Sequence, residues 1–97
     1  MIEVELQIPA IVNSEHVIEV VEKVCISHNL ICVRKGTLAS YPGCTHWHFK
    51  MGKQKGTLEI TWWEAKNRLW LKVAKSRMGD WMAENITTLK KKIENSL

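Results

Sequence analysis

The sequence predicts an α+β domain in which a curved, mostly antiparallel sheet of five strands packs against two helices on one face. Three observations predict it. Five short segments alternate apolar and polar side chains, two longer segments carry apolar residues at helical spacing, and turn residues separate the last four strands. The predicted order is β-α-β-β-β-β-α. We expect residues 1–97 to form a single domain, because a chain of this length can bury a core without disulfides or a structural metal.

The N-terminal region predicts one strand followed by one helix. Residues 2–8 alternate apolar and polar side chains until Pro9 ends the strand. Asn13 and Ser14 offer oxygens that cap a helix N-terminus, and Asn29 is suited to the left-handed conformation that follows a helix. The apolar stripe between these caps consists of Val17, Val20, Val21, Val24, Cys25 and His28.

Four more strands and a second helix are predicted after residue 29. We expect strands over residues 30–39, 44–51, 57–64 and 68–75, with a turn at Tyr41-Pro42-Gly43. Asp80 is expected to cap the final helix. Its stripe is Met82, Ile86, Leu89, Ile93 and Leu97. In topology alone this order resembles one half of a TATA-binding-protein-like fold, and a shared topology by itself implies no shared function.

The two faces of the sheet can be separated because successive side chains of a strand point to opposite sides. One face of the last three strands collects nine apolar residues, so it must lie beneath the helices: Trp47, Phe49, Met51, Leu58, Ile60, Trp62, Leu69, Leu71 and Val73. Directly opposed residues share a face, which leaves two registers for the last hairpin. Trp63 opposes Arg68 in one of them and Trp70 in the other.

The opposite face predicts the main functional hypothesis. Both helices are committed to the other side, so we expect this face to be open to solvent. Its predicted binding residues are Trp63, Trp70, Arg68, Lys72, Lys50 and Thr61. An exposed apolar patch on a small domain favours association. We therefore expect a non-catalytic binding module that uses this face for a protein partner or for homodimer formation.

A nucleic-acid-binding domain is the alternative. Residues 1–48 carry three basic and five acidic side chains, whereas residues 49–97 carry eleven basic and five acidic ones, and the net charge is +4. Trp63 and Trp70 could stack on bases while Arg68, Lys72 and Lys50 contact phosphates. Cross-strand tryptophans also stabilise a sheet by themselves, which is the purely structural interpretation of the same residues.

The third interpretation is a metal or catalytic site at Cys44, His46 and His48. These residues occupy alternate positions of one strand, ~6.6 Å apart, and two imidazoles with a thiolate can bind a transition metal. Glu59 would approach His48 from the next strand in only one register. Cys44 as nucleophile and His46 as base would need an activating group that the sequence does not supply.

Other features argue against an enzyme and against a membrane protein. The sequence has no Gly-rich phosphate loop, no Gly-x-Ser-x-Gly and no His-Glu-x-x-His. It has no run approaching the ~20 apolar residues of a membrane helix and no basic-then-apolar leader. Its three cysteines have unrelated spacings. We therefore predict a cytoplasmic protein with no membrane partner and no cofactor other than a transition metal.

Overall fold

The computed structural model describes residues 2–97 and confirms the α+β class and the predicted order of elements. The strands are β1 (Ile2–Leu6), β2 (Ile31–Leu38), β3 (Tyr41–Lys50), β4 (Leu58–Trp63) and β5 (Arg68–Val73). The helices are α1 (Ser14–Ser27) and α2 (Met82–Ser96). All strand pairs are antiparallel, in the order β1-β5-β4-β3-β2. Within residues 2–97, neither helix is long and apolar enough to cross a membrane.

The first helix has the caps that the sequence predicts, and the second does not. The Asn13 side-chain oxygen accepts the backbone N–H of His16 at 3.1 Å, and Asn29 follows the helix with a φ of 64°. Asp80 does not cap α2, because Trp81 occupies the N-cap position and makes no capping side-chain bond. Instead, the Trp81 indole donates to the backbone oxygen of Lys55 at 2.9 Å, which attaches the start of α2 to the β3–β4 loop.

The register of the last three strands is one of the two that the sequence allows. Phe49 pairs with Leu58 across β3 and β4, and Trp63 pairs with Arg68 across β4 and β5. Trp70 therefore lies opposite Thr61 and not opposite Trp63. This register also pairs Glu59 of β4 with His48 of β3.

The core lies between the sheet and the two helices, as the pattern of faces predicts. Eight of the nine apolar residues assigned to the helix face are buried, and Met51 is partly buried against them. The helix residues buried over this face are Val17, Val20, Val21, Val24, Cys25, Met82, Ile86, Leu89 and Ile93. Two buried indoles also find acceptors: Trp47 donates to Glu22 at 3.0 Å, and Trp62 donates to Ser14 at 2.8 Å.

The predicted turn at Tyr41-Pro42-Gly43 is wrong. Leu38 already pairs with Tyr41, so the hairpin turn consists of the two residues before Tyr41, and Tyr41 begins β3. Pro42 precedes the first pair between β3 and β4, so its missing N–H removes no hydrogen bond from that ladder. Gly43 has a φ of 80°, a conformation that favours glycine.

The predicted last strand also ends earlier than residue 75. β5 ends at Val73, and a 3₁₀ turn follows over Lys75–Arg77. The Arg77 carbonyl accepts the Thr57 N–H at 3.0 Å, which ties this turn to the start of β4. Gly79 packs so closely on the β3–β4 loop that a Cβ there would clash with the backbone oxygen of Lys55. These backbone contacts fix the position of Arg77 relative to the sheet.

Candidate metal centre

The outer face, defined as the sheet face opposite the helices, is built from rows of residues that run across β3, β4 and β5. One row joins His46, Thr61 and Trp70. The adjacent row places His48 beside Glu59. Because side chains two residues apart on a strand share a face, the two imidazoles and the carboxylate are brought together by the register itself.

The potential ligand atoms of His46, His48 and Glu59 converge. The two Nε2 atoms lie 3.1 Å apart, and the Glu59 Oε1 atom lies 3.3 Å from His46 Nε2 and 3.8 Å from His48 Nε2. The imidazole rings meet edge to face with centroids 5.0 Å apart. We call these three residues the His–His–Glu cluster. Among the described residues, it is the group of His, Cys, Asp and Glu side chains whose ligand atoms lie close enough to hold one ion.

The Nδ1 atoms of the two imidazoles have different partners. His46 Nδ1 lies 2.8 Å from the hydroxyl of Thr61, which is 2% exposed. His48 Nδ1 lies 3.5 Å from the Arg77 Nη1 atom. A guanidinium can only donate, so a hydrogen bond across this distance requires His48 Nδ1 to accept and the His48 proton to be on Nε2.

These partners leave a conflict at His46 Nε2. If His48 Nε2–H donates to His46 Nε2, that nitrogen has no proton with which to meet the Glu59 oxygen 3.3 Å away. If His46 Nε2 carries a proton for Glu59 instead, two N–H groups meet at 3.1 Å. With neutral imidazoles and the Arg77 contact in place, one of the two contacts is therefore unfavourable.

The environment also keeps the imidazoles neutral. Burial lowers the pKa of His46, the neighbouring His48 adds to this effect, and the Glu59 carboxylate opposes it. Burial likewise lowers the pKa of His48 against the opposing Glu59, and the guanidiniums of Arg77 and Arg34 lower it further. A neutral imidazole has the lone pair that a metal ligand needs.

A cleft of about 490 Å³ connects the His–His–Glu cluster to solvent. Its walls come from β2 and from the segment after β5, and they include Arg34, Gly36, Ala74 and Arg77. The side chains of the cluster keep 8%, 16% and 18% of their surface exposed, in the order His46, His48 and Glu59. An ion therefore has a route to the three ligand atoms.

Cys44 is not part of the His–His–Glu cluster, although the sequence predicts it as a ligand together with His46 and His48. It is 1% exposed, and its Sγ atom accepts the backbone N–H of Leu38 at 3.3 Å. The strand places it on the same face as His46, but the thiol turns toward the β2–β3 hairpin. The predicted use of Cys44 as a third metal ligand or as a nucleophile therefore has no support in the geometry.

The prediction that the outer tryptophans face solvent is wrong for Trp70, which is only 5% exposed. Tyr41 packs edge to face on both indoles, with centroid distances of 4.9 Å to Trp63 and 5.1 Å to Trp70. The Arg68 guanidinium lies 4.7 Å from the Trp70 centroid. Trp63 remains half-buried and donates to the Pro42 carbonyl at 3.1 Å. The sequence pattern does not show this cover, because it predicts a turn at Tyr41.

The basic residues predicted to surround the tryptophans are partly matched with acidic ones. Arg68 forms an ion pair with Glu5 that raises the arginine pKa further. Lys72 lies opposite Glu3 in the sheet. Lys50 is half-buried at the end of β3. These side chains do not form a continuous basic surface with the tryptophans.

Two residues of the site escaped the sequence interpretation. Arg34 opposes His48 across β2 and β3, and this pairing follows a bulge that alternation alone does not locate. Arg77 lies beyond the last strand, where no local pattern relates it to His48.

Comparisons of the chain with protein-family models, with curated proteins and with solved structures find no match.

Proposed function

We propose that this protein is a metal-binding domain that holds a divalent transition ion of the zinc class through His46 Nε2, His48 Nε2 and Glu59 Oε1. The observation that carries the proposal is the spacing of these atoms, 3.1, 3.3 and 3.8 Å. Ligands about 2.0–2.1 Å from a tetrahedral Zn²⁺ lie about 3.3 Å from one another. Small side-chain rotations therefore suffice to place the ion between them.

The donor set suits such an ion. Two imidazole nitrogens and one carboxylate oxygen are typical zinc ligands, and three protein ligands leave a fourth position open. The same set binds Co²⁺, Ni²⁺ and Cu²⁺, with affinities that follow their general order for nitrogen and oxygen sites. A cation also removes the conflict at His46 Nε2, because all three lone pairs can then point to one positive charge.

Thr61 supports the metal-bound form of His46. When Nε2 holds the ion, the imidazole proton moves to Nδ1, where the Thr61 hydroxyl lies 2.8 Å away and can accept it. Such an outer hydrogen bond orients a ligating histidine and fixes its tautomer. The Thr61 residue that the sequence placed among the binding residues would thus act through His46.

The proposal keeps the predicted binding module and its predicted face but changes the ligand. A protein partner, self-association and nucleic acid remain predictions without a supporting contact, since Tyr41 and Arg68 cover Trp70. A cytoplasmic location belongs to the proposal, and its support is that Cys25, Cys32 and Cys44 are all free thiols.

Metal titration of untagged protein tests this function. After treatment with a chelator, calorimetric titration with Zn²⁺ should show one ion bound per chain. Thermal denaturation should then show a higher melting temperature for the loaded protein than for the metal-free protein. His46→Ala, His48→Ala and Glu59→Gln should each abolish this binding. His16→Ala is the matched control, because His16 lies exposed on α1 away from the cluster.

The same variants show which results would contradict the proposed metal site. Zinc binding that survives all three substitutions, or that is lost in His16→Ala, would assign the ion to another site. Circular dichroism of each variant separates loss of the ligand from loss of the fold. Wild-type protein that shows no saturable binding would refute the proposal directly.

A further inference from the structure

The charge of the proposed metal site is incompletely balanced. Glu59 is the one carboxylate among the described residues that line the cleft, and it offsets only half of the charge of a divalent ion. Arg34 opposes His48 in the sheet, and Arg77 contacts its imidazole. Lys35 also lines the cleft, but it is paired with Glu22 at 2.7 Å. A loaded site would therefore combine net positive charge with an open coordination position.

We infer that the metal-loaded cleft binds an oxyanion, a phosphate or carboxylate group, which completes the coordination of the ion and pairs with Arg34 and Arg77. This inference rests on the metal site proposed above. Guanidiniums recognise both classes of oxyanion through two parallel N–H donors, and the ion takes a further oxygen. The chemistry of the site thus selects a negatively charged ligand.

The change of tautomer at His48 makes Arg77 available. Arg77 donates to His48 Nδ1 when the imidazole proton is on Nε2. A metal ion at Nε2 moves that proton to Nδ1, where it would oppose the Arg77 N–H groups. Arg77 is exposed and can leave this contact. Metal binding therefore frees a guanidinium beside the open coordination position.

The cleft has room for the oxyanion next to the cluster. Gly36 lies opposite His46 across β2 and β3, and a Cβ at Gly36 would meet no heavy atom within 4 Å. The volume of about 490 Å³ also exceeds what one phosphate group needs, so a larger molecule that carries the group can enter.

Metal and anion must favour each other. Without an anion, the two guanidiniums repel a cation at the His–His–Glu cluster; with an anion between them, the same charges become attractive. Because coupling between two ligands is reciprocal, phosphate should raise the affinity for metal by the factor by which metal raises the affinity for phosphate. Removing both guanidiniums should weaken this coupling, because only the direct bond between ion and anion remains, while improving the binding of the metal alone.

Spectroscopy of the Co²⁺-loaded protein tests the inference. Tetrahedral Co²⁺ absorbs strongly in the visible range, and its spectrum changes when the fourth ligand changes. Titration with inorganic phosphate and, separately, with acetate should shift the wild-type spectrum. The variant Arg34→Gln/Arg77→Gln should need at least about tenfold more anion, an effect of about 1.4 kcal/mol. Arg68→Gln, which removes an arginine of the same face outside the cleft, should behave as the wild type.

The outcomes separate the two proposals. If Co²⁺ does not bind to the wild type, the proposed function fails. If Co²⁺ binds but neither anion changes the spectrum, or if the double variant responds as the wild type does, the metal site stands and the oxyanion inference is overturned. A response to phosphate without acetate identifies a phosphate site, and a response to both identifies a general oxyanion site. The single variants Arg34→Gln and Arg77→Gln serve if the double variant misfolds.

Discussion

Ile60 and Thr61 are neighbours in β4, and both are almost completely buried, but different structures bury them. Ile60 lies on the helix face, where the two helices supply the cover. Thr61 lies on the outer face, where the cover comes from neighbouring side chains of the sheet, with His46 on one side and Trp70 on the other. Burial therefore does not require a second layer of structure.

The difference matters for the chemistry of the two faces. The helix face is closed by apolar contacts, and its tryptophans need only one acceptor each. The outer face is closed by hydrogen bonds, edge-to-face rings and a cation–π contact, which hold polar groups at fixed distances. Such an arrangement positions ligands, because the partners of each polar group define its orientation.

The largest expected effect is on the helix face. Ile86→Asp would bury a carboxylate among the apolar residues of α2 and the sheet, and we expect it to lower the free energy of unfolding by more than about 4 kcal/mol. Urea denaturation measures this loss. Lys91→Glu changes an exposed position of the same helix and should remain close to wild type. Equal losses in the two variants would contradict the assignment of the buried side of α2.

A cavity beneath the helices should have the next largest effect. Ile60→Ala removes a completely buried side chain, and we expect it to lower the free energy of unfolding by about 2–5 kcal/mol. The same denaturation experiment measures it. A loss below about 0.5 kcal/mol, which is typical of surface positions, would mean that the helices do not cover the face of the sheet that carries Ile60.

The two outer tryptophans should differ from each other. Trp70→Ala removes a buried indole that contacts Tyr41 and Arg68, and we expect a loss of about 3 kcal/mol in the free energy of unfolding. Trp63→Ala removes a half-buried ring and should cost about 1 kcal/mol. If both variants are as stable as the wild type, Tyr41 and Arg68 do not shield Trp70 from solvent. An exposed aromatic surface on the outer face then becomes the better interpretation.

The smallest effect should come from the hydroxyl next to His46. Thr61→Val keeps the shape of the side chain but removes the partner of His46 Nδ1, so we expect a loss of about 1 kcal/mol in the free energy of unfolding. Affinity for Zn²⁺ should fall about 10–100-fold by calorimetry. Thr45→Val, on β3, is the control for the same change of chemistry. Unchanged zinc affinity in Thr61→Val would remove Thr61 from the site.

The fold was largely predictable because it depends on periodicity. Alternation along β3, β4 and β5 separates the faces, and the stripe from Val17 to Cys25 identifies the first helix. The ends of elements were less predictable. Tyr41 lies in a strand because a two-residue turn closes before it, and the sequence contains a stronger turn signal at Pro42 and Gly43.

The candidate site was predictable only in part. Parity placed Cys44, His46 and His48 on one face, but parity does not say which way a thiol turns or which register brings Glu59 beside His48. It also gives no measure of exposure, so it could not show that Trp70 is covered. Arg77 reaches His48 through contacts of the backbone after β5, which depend on the whole chain.

The topology also has a consequence for the order in which the chain can fold. β1 joins the sheet only through β5, at the other end of the sequence, whereas every other strand pair joins neighbours along the chain. Contacts of high sequence separation slow folding, and during synthesis β1 has no partner until β5 has left the ribosome. His46, His48 and Glu59 belong to a single local hairpin, so the proposed metal site needs only β3 and β4 and does not depend on the late pairing of β1.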